Sequence, residues 1–265
     1  MMTKHTRIFT ALAVAGMLSL TACGGSDGPE QKSAAQAAPP QAETPTPPPI
    51  TPPAPTPVAS TVVLDFSKGI DGWSAGVADY TDGTEPSATQ HGWLTLPSPL
   101  SDKYGYYLAS RNNSDDVLTF VKHQLTGFVA GAKYALTFEM NYATDAATGC
   151  FGVGGSRGES VYMVAAAGTD EPKVVKNTDG NYRLNLDRGN QGAAGPQGVV
   201  LGTQGVDGLD CNGGKWAVAS RKSTDAITVT ADKEGKLWVV LGTDSAFESA
   251  NAVYLMGATI NAKPL

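Results

Sequence analysis

In Tyr134-Ala135-Leu136-Thr137-Phe138-Glu139-Met140-Asn141-Tyr142 the large apolar side chains fall on every second position. Leu136, Phe138, Met140 and Tyr142 share one face of an extended chain, and Thr137, Glu139 and Asn141 share the other. That period of two predicts a strand with one buried and one wet face. Outward from it, short apolar or alternating runs recur between turn residues. Thr61–Phe66, Gly92–Leu96 and Val117–Val121 precede it; Ser160–Val164, Ala226–Thr230, Leu237–Leu241 and Ala252–Ile260 follow. No stretch of this region carries a long apolar stripe at helical spacing, and the chain's 31 glycines suit the turns between many short strands. The pattern predicts an all-β fold, a jelly-roll-like antiparallel β-sandwich over residues 60–265.

What precedes residue 60 has a different chemistry. Lys4 and Arg7 lead into an apolar run, Ile8 to Leu20, which is too short to span a bilayer as a helix but suits the core of a signal peptide. The run ends in Leu20-Thr21-Ala22-Cys23, which resembles the lipobox of bacterial lipoproteins. That resemblance implies a signal peptide over residues 1–22, cleavage before Cys23, a diacylglyceryl thioether on its sulfur, and acylation, palmitate for example, of the new amino terminus. Two or more acyl chains hold a protein firmly in a lipid bilayer, where one holds it only marginally. Gly24 stands where an aspartate, in enteric-type sorting, would retain the protein at the inner membrane, so the resemblance favours the outer membrane. Residues 23–59 cannot build a core, because ten of the 17 prolines fall between residues 39 and 57. They predict a disordered, semi-rigid spacer in the polyproline-II conformation, a stalk of roughly 3 Å per residue.

The formal net charge is −6, and losing Lys4 and Arg7 with the signal peptide makes it two units more negative. No run of basic residues interleaves with aromatics, so nucleic acid is not an expected partner. Of three cysteines, Cys23 takes lipid, which leaves Cys150 and Cys211 in glycine-rich segments of an exported chain. An even pair in an oxidising compartment predicts a disulfide. A thiolate metal site would lack its third and fourth ligands.

Several phrases resemble an uncharacterised family of bacterial secreted and lipid-anchored β-sandwich proteins. They are Asp71–Tyr80, Asn112-Asn113-Ser114-Asp115-Asp116, Gly152–Tyr162, Leu186–Gln191 and Leu237–Glu248. The resemblance covers most of the domain and none of the stalk. It implies the fold and the export and carries no activity. More loosely, the architecture is similar to carbohydrate-binding jelly rolls, a likeness of fold only.

Gly154-Gly155-Ser156-Arg157-Gly158 fits the G-x-S-x-G nucleophile elbow in letters alone. That elbow needs a strand-to-helix turn and a later histidine, whereas His5, His91 and His123 all precede Ser156. The segment reads as a glycine-rich turn, and no catalytic residue is assigned. His91 and His123 are too few for a zinc site without carboxylates and read as strand-associated histidines.

The acids Asp115, Asp116, Glu159, Asp187, Asp244 and Glu248 sit where strand patterns begin or end, with Asn112, Asn113 and Asn190 beside them. Turn and cap roles explain such residues equally well. A functional reading requires at least three of the six acids to meet, around a calcium ion with its 6–8 oxygen ligands or around a polyhydroxylated ligand. Tyr80, Trp93, Tyr104, Tyr106 and Tyr107 are candidate stacking platforms for a glycan; Trp73 and Trp238 are expected in the core. Trp93 and Trp216 fit either place. The expected function is a membrane-anchored envelope lipoprotein with a non-enzymatic, glycan-binding domain. The alternatives are a carbohydrate-active enzyme on the same fold and a structural envelope protein without a small ligand.

Overall fold

The computed structural model describes residues 53–114 and 116–265. The signal segment, Cys23, the stalk as far as residue 52, and Asp115 lie outside the described residues. No helix occurs among the described residues.

The strands run β1 Ser60–Asp65, β2 Ser74–Ala78, β3 Ser87–Thr95, β4 Tyr104–Arg111, β5 Val117–Leu125 and β6 Lys133–Thr144. Next come β7 Val161–Gly168 and four short pieces, β8 Val174–Lys176, β9 Tyr182–Leu184, β10 Gly189–Asn190 and β11 Ala193–Ala194. The chain closes with β12 Gly198–Thr203, β13 Ala217–Lys222, β14 Ile227–Thr230, β15 Leu237–Ser245 and β16 Ala250–Pro264.

One sheet has the order β13-β6-β16-β4-β3; β1 continues the lane of β4 along β16, and β14 continues the lane of β13 along β6. The second has the order β12-β7-β15-β5-β2. Ladders in both are antiparallel. Strands β4 to β7 alternate between the sheets, and β15 and β16 then return to lie between β5 and β7 and between β4 and β6. That interleaving is the double Greek key of a jelly roll, read here from strand order alone.

The alternation in β6 is realised in the packing. Leu136, Phe138, Met140 and Tyr142 are fully buried between the sheets, facing Met163 and Ala165 of β7 and Leu237, Val239 and Leu241 of β15. Each large side chain so buried contributes roughly 1.5–3 kcal/mol before the entropy of ordering the chain is charged against it. Trp73 lies edge-on to Phe66 at 5.0 Å and stacks on His123, against the core as expected. Trp238 is a correction. Its neighbours Leu237 and Val239 point inward, so its own side chain points outward, half-buried, with the Lys122 ammonium 5.6 Å from its ring. Tyr106 is also core rather than platform, at 1 % exposure.

The outer face of the five-stranded sheet carries a second apolar layer. Leu118, Phe120, Val164, Ala166 and Val240 are covered there by Leu184 and Leu186 from residues 169–197, which form a strap. Gly76 and Gly242 flank Phe120 in register, and a Cβ on Gly76 would come within 2.7 Å of that ring.

Two poles follow from the register. At one, Ser60 faces Ala262, which faces Leu136. At the other lie the ends of β6 and β15, the starts of β5, β7 and β16, and their loops. Gln204, with no exposed surface, plugs this second pole by donating to Thr144 Oγ1 at 2.9 Å and Asn251 Oδ1 at 3.0 Å. Its carbonyl accepts from the Tyr142 hydroxyl, whose pKa burial pushes up to about 12.

Candidate functional site

Two groups of polar side chains stand at the second pole, one on each outer face. On the five-stranded sheet, Asp79 follows β2 with φ 64°, a left-handed conformation that aspartate tolerates better than most side chains. Asp116 precedes β5 and Asp244 lies near the end of β15. One carboxylate oxygen from each lies within 4.8 Å of the others. Arg188 reaches down from the strap and donates to Asp244 Oδ2 at 2.5 Å and to Asp79 Oδ2. Arg183 stands 3.7 Å from Asp79 and 3.8 Å from Asp116. The Gln191 amide N–H donates to Asp244, and the Asn190 side-chain nitrogen, turned toward Asp116, donates to it at 3.0 and 3.2 Å.

Burial, then the charges of Asp244 and Asp79, push Asp116 up to about 7 against the opposing pull of Arg183 and Arg188. Burial also raises Asp244, more than Arg188 lowers it. These three acids are the carboxylates that come close enough to share a metal ion among the described residues. Arg188 already supplies the cation to two of them, and Asp79, Asp244 and Arg188 are all less than a tenth exposed. The cluster therefore acts as a clamp between strap and sheet.

The expected convergence is corrected accordingly. Of the five described acids singled out in the sequence, Asp116 and Asp244 meet, and the third member is Asp79, which the reading did not name. Asn190 joins them. Asp187 is exposed beside a cavity of about 300 Å³ next to the clamp and caps Gly189. Glu159 accepts from the Gly149 N–H at 2.5 Å and from Ser156 Oγ, while Glu248 is tied by its backbone to Val153. Asn112 donates to the Ser245 carbonyl and Asn113 to that of Glu85, so both brace loops. Ser156 belongs to a turn, where a Cβ on Gly154 or Gly158 would meet a backbone carbonyl oxygen at 2.0 Å.

The opposite face, that of the seven-stranded sheet, has a different character. Gly92, Tyr107, Tyr254, Ala143 and Val218 form one row across five strands. Tyr107 and Trp216 pack on Tyr254 at 4.8 and 5.1 Å, making an aromatic ridge. In the next row Ala109 faces Ala252 and Gln90, and beyond it Ala250 faces Arg111. Small side chains beside a ridge leave a trough of about 250 Å³, bordered by Tyr107, Trp216, Ala109, Ala252, Asp145 and Arg157. Arg157 and Ala250 also border an adjoining cleft of about 150 Å³ with Phe151 and Phe247. Burial, then the Asp145 carboxylate, raise the Tyr107 hydroxyl above its usual pKa. Cys150 and Cys211 are joined, with Cα atoms 5.6 Å apart, and line that cleft. Asn251 and Ser110 turn their side chains inward, to Gln204 and Thr119, leaving Gln90, Arg111 and Arg157 as polar groups at the margins.

The sequence marks Tyr107 as one of five candidate stacking platforms and leaves Trp216 open. It does not show the alanine rows, because Ala109 and Ala252 meet only through the register. Trp93 and Tyr104 stack on one another at 4.5 Å near the far end of β3 and β4, and Tyr80 stacks on Tyr182 of the strap at 4.9 Å.

No known sequence family and no curated protein matches this chain. Among solved structures it is similar to the enzymatically active domain of bacteriophage CBA120 tailspike protein 4, with 9% identity and a TM-score of 0.32 over 76% of this chain. A Clostridium thermocellum endo-1,4-β-D-xylanase, solved with xylohexaose, matches with 11% identity and a TM-score of 0.33 over 75% of this chain. The chain spans 20% and 28% of the lengths of those two. A family 11 carbohydrate-binding module of a Clostridium thermocellum cellulase matches with 9% identity and a TM-score of 0.35, over 79% of this chain and 97% of the module. Likenesses this distant transfer no site, and the jelly roll rests on the strand order itself.

Proposed function

We propose that the domain binds a glycan in the trough on its seven-stranded sheet, held at the bacterial envelope, at the outer membrane, by an acylated Cys23. The observation that carries this reading is the alanine floor of Ala109, Ala250 and Ala252 beside the ridge of Tyr107 and Trp216. A sugar ring has an apolar face that packs on an aromatic side chain and a rim of hydroxyls that needs planar donors and acceptors. The trough offers the first from its ridge and the second from Gln90 and Arg157, with Arg111 next to it, in register with Ala250. Its alanine floor and Tyr107 lie on strands, and Trp216, directly before β13, is packed on Tyr254 of β16, so the ridge is held in place before the ligand arrives. A hydrolytic role would require two carboxylates within reach of one ligand. The clamp does not supply them, since Asp244 has no exposed surface.

Calorimetric titration of the full acylated chain in detergent with a panel of oligosaccharides tests the reading. Trp216→Ala and Tyr107→Ala should each weaken binding about tenfold or more. Trp238→Ala, on the other sheet, should leave it unchanged. Full binding by the Trp216→Ala, Tyr107→Ala double variant would overturn the assignment.

A further inference from the structure

The trough is not electrically even along its length. Two arginines stand about its Ala250 end. Arg111 is the residue in register with Ala250, and its side chain leaves the same sheet face as Tyr107 and Ala109. Arg157 borders both the trough and the adjoining cleft, with Ala250 common to the two. Arg157 engages the protein through one nitrogen only: Nη2 donates to the Asp145 carbonyl at 2.7 Å and pairs with Asp145 Oδ1 at 2.8 Å. Arg111 is exposed, and its one side-chain bond runs from Nη1 to Ser249 Oγ at 3.2 Å. Among the described residues, both forks thus keep most of their five N–H donors unused by protein groups.

Three acids stand near this end, and one of them, Asp145, pairs with an arginine. Asp145 holds Arg157 with one oxygen and accepts the Gly214 N–H with the other, at 2.9 Å. Glu159 accepts from Gly149 and Ser156. Glu248 is held by its backbone N–H to the Val153 carbonyl, in the β15–β16 turn beside Ser249. Hydrogen bonds from neutral groups leave the charge of Glu159 in place, so what this end offers a ligand is not a net positive charge but guanidinium N–H donors beside an apolar floor.

We infer that the ligand of this trough is an acidic glycan, one whose sugar rings carry carboxylate groups, with its charge taken up by Arg111 and Arg157 at the Ala250 end and a ring packed on Tyr107 and Trp216. The planar guanidinium fork matches a carboxylate in two parallel hydrogen bonds, which selects a uronate over a hydroxymethyl group at the same position. The inference rests on the glycan reading above and narrows it to one chemical class.

The test uses the full acylated chain in detergent. Oligogalacturonate and oligoguluronate are titrated beside the methyl-esterified galacturonate, and beside neutral cello-, xylo- and manno-oligosaccharides. The expected result is a preference of about ten- to a hundredfold for an acidic oligomer over its esterified or neutral counterpart, shrinking as salt is raised. Arg111→Gln and Arg157→Gln should each remove most of that preference while leaving weak binding on the aromatic ridge. Because Arg157 pairs with a half-buried aspartate, the exposed Arg111→Gln variant keeps the test meaningful if Arg157→Gln unfolds. Equal affinity for acidic and neutral oligomers, or binding of neutral ones alone, would overturn the inference and leave the glycan reading standing. Binding of no member of the panel would overturn both.

Discussion

Arg188 and Asp244 meet at 2.5 Å across 56 residues of sequence, joining the strap to the last strand of the five-stranded sheet. The same guanidinium also holds Asp79, so one cation is shared between two buried carboxylates. Replacing Arg188 by leucine leaves Asp244 buried without a counter-charge and Asp79 with only the more distant Arg183, a loss of about 3–5 kcal/mol. Lysine should not rescue it, because a single ammonium cannot present two donors along a plane. Urea unfolding measures the loss, and limited proteolysis should now cut within residues 169–197. A change below about 1 kcal/mol would mean the clamp contributes little.

Asp116 sets a pH dependence of opposite sign to that of an ordinary surface acid. Its folded pKa, about 7, lies above the value near 3.8 of an unperturbed aspartate. Between those values the folded chain holds the proton more tightly than the unfolded chain, so stability from this group is full below about pH 4 and declines as pH rises toward 7. The shift corresponds to at most about 4 kcal/mol. Asp116→Asn should therefore raise the melting temperature at pH 8 and change it little at pH 4. Parallel curves for the two proteins from pH 4 to pH 8 would contradict the argument.

The bridge between Cys150 and Cys211 closes a loop with a sequence separation of 61. On chain entropy alone that contributes about 4 kcal/mol. Cys150→Ser should lower the melting temperature by roughly 10 °C. Glycan affinity should fall with it, since both cysteines line the cleft beside Arg157. Peptide mapping without reductant should recover the linked pair from the native protein.

Anchoring is tested at Cys23, which should carry the lipid. Intact mass of the mature protein is expected to show a diacylglyceryl group and an amide-linked acyl chain on that residue. Cys23→Ala should yield either uncleaved precursor or protein free of the membrane. A mature amino terminus elsewhere, without lipid, would rule the anchor out.

The sequence disclosed strands better than faces. In β6 the alternation named both the strand and its buried side, because only one face of that sheet meets the core. In β15, Leu237-Trp238-Val239-Val240-Leu241 reads as one apolar run, since the strap buries the outer face as well. That is why the run by itself places Trp238 in the wrong layer. The strap's own strands are two or three residues long, too short for any period to declare itself. In the clamp, Asp116 and Asp244 were marked by their places at strand ends. Nothing local in the chain ties Asp79 to Arg188, which lies 109 positions away. The trough was hidden for the same reason: an alanine floor exists only once β4 and β16 are in register.

The placement of β1 determines how the domain would carry load. Ser60 and the trough occupy opposite poles, and twelve residues of β16, roughly 40 Å at strand rise, separate Ala262 from Ala250. A pull on the chain before Ser60, resisted by a ligand seated at Ala250, acts nearly parallel to β1. All six residues of β1 are paired to β16 in one unbroken register. Their hydrogen bonds would be sheared together rather than peeled one by one, so the domain is built to stay intact when its two ends are drawn apart.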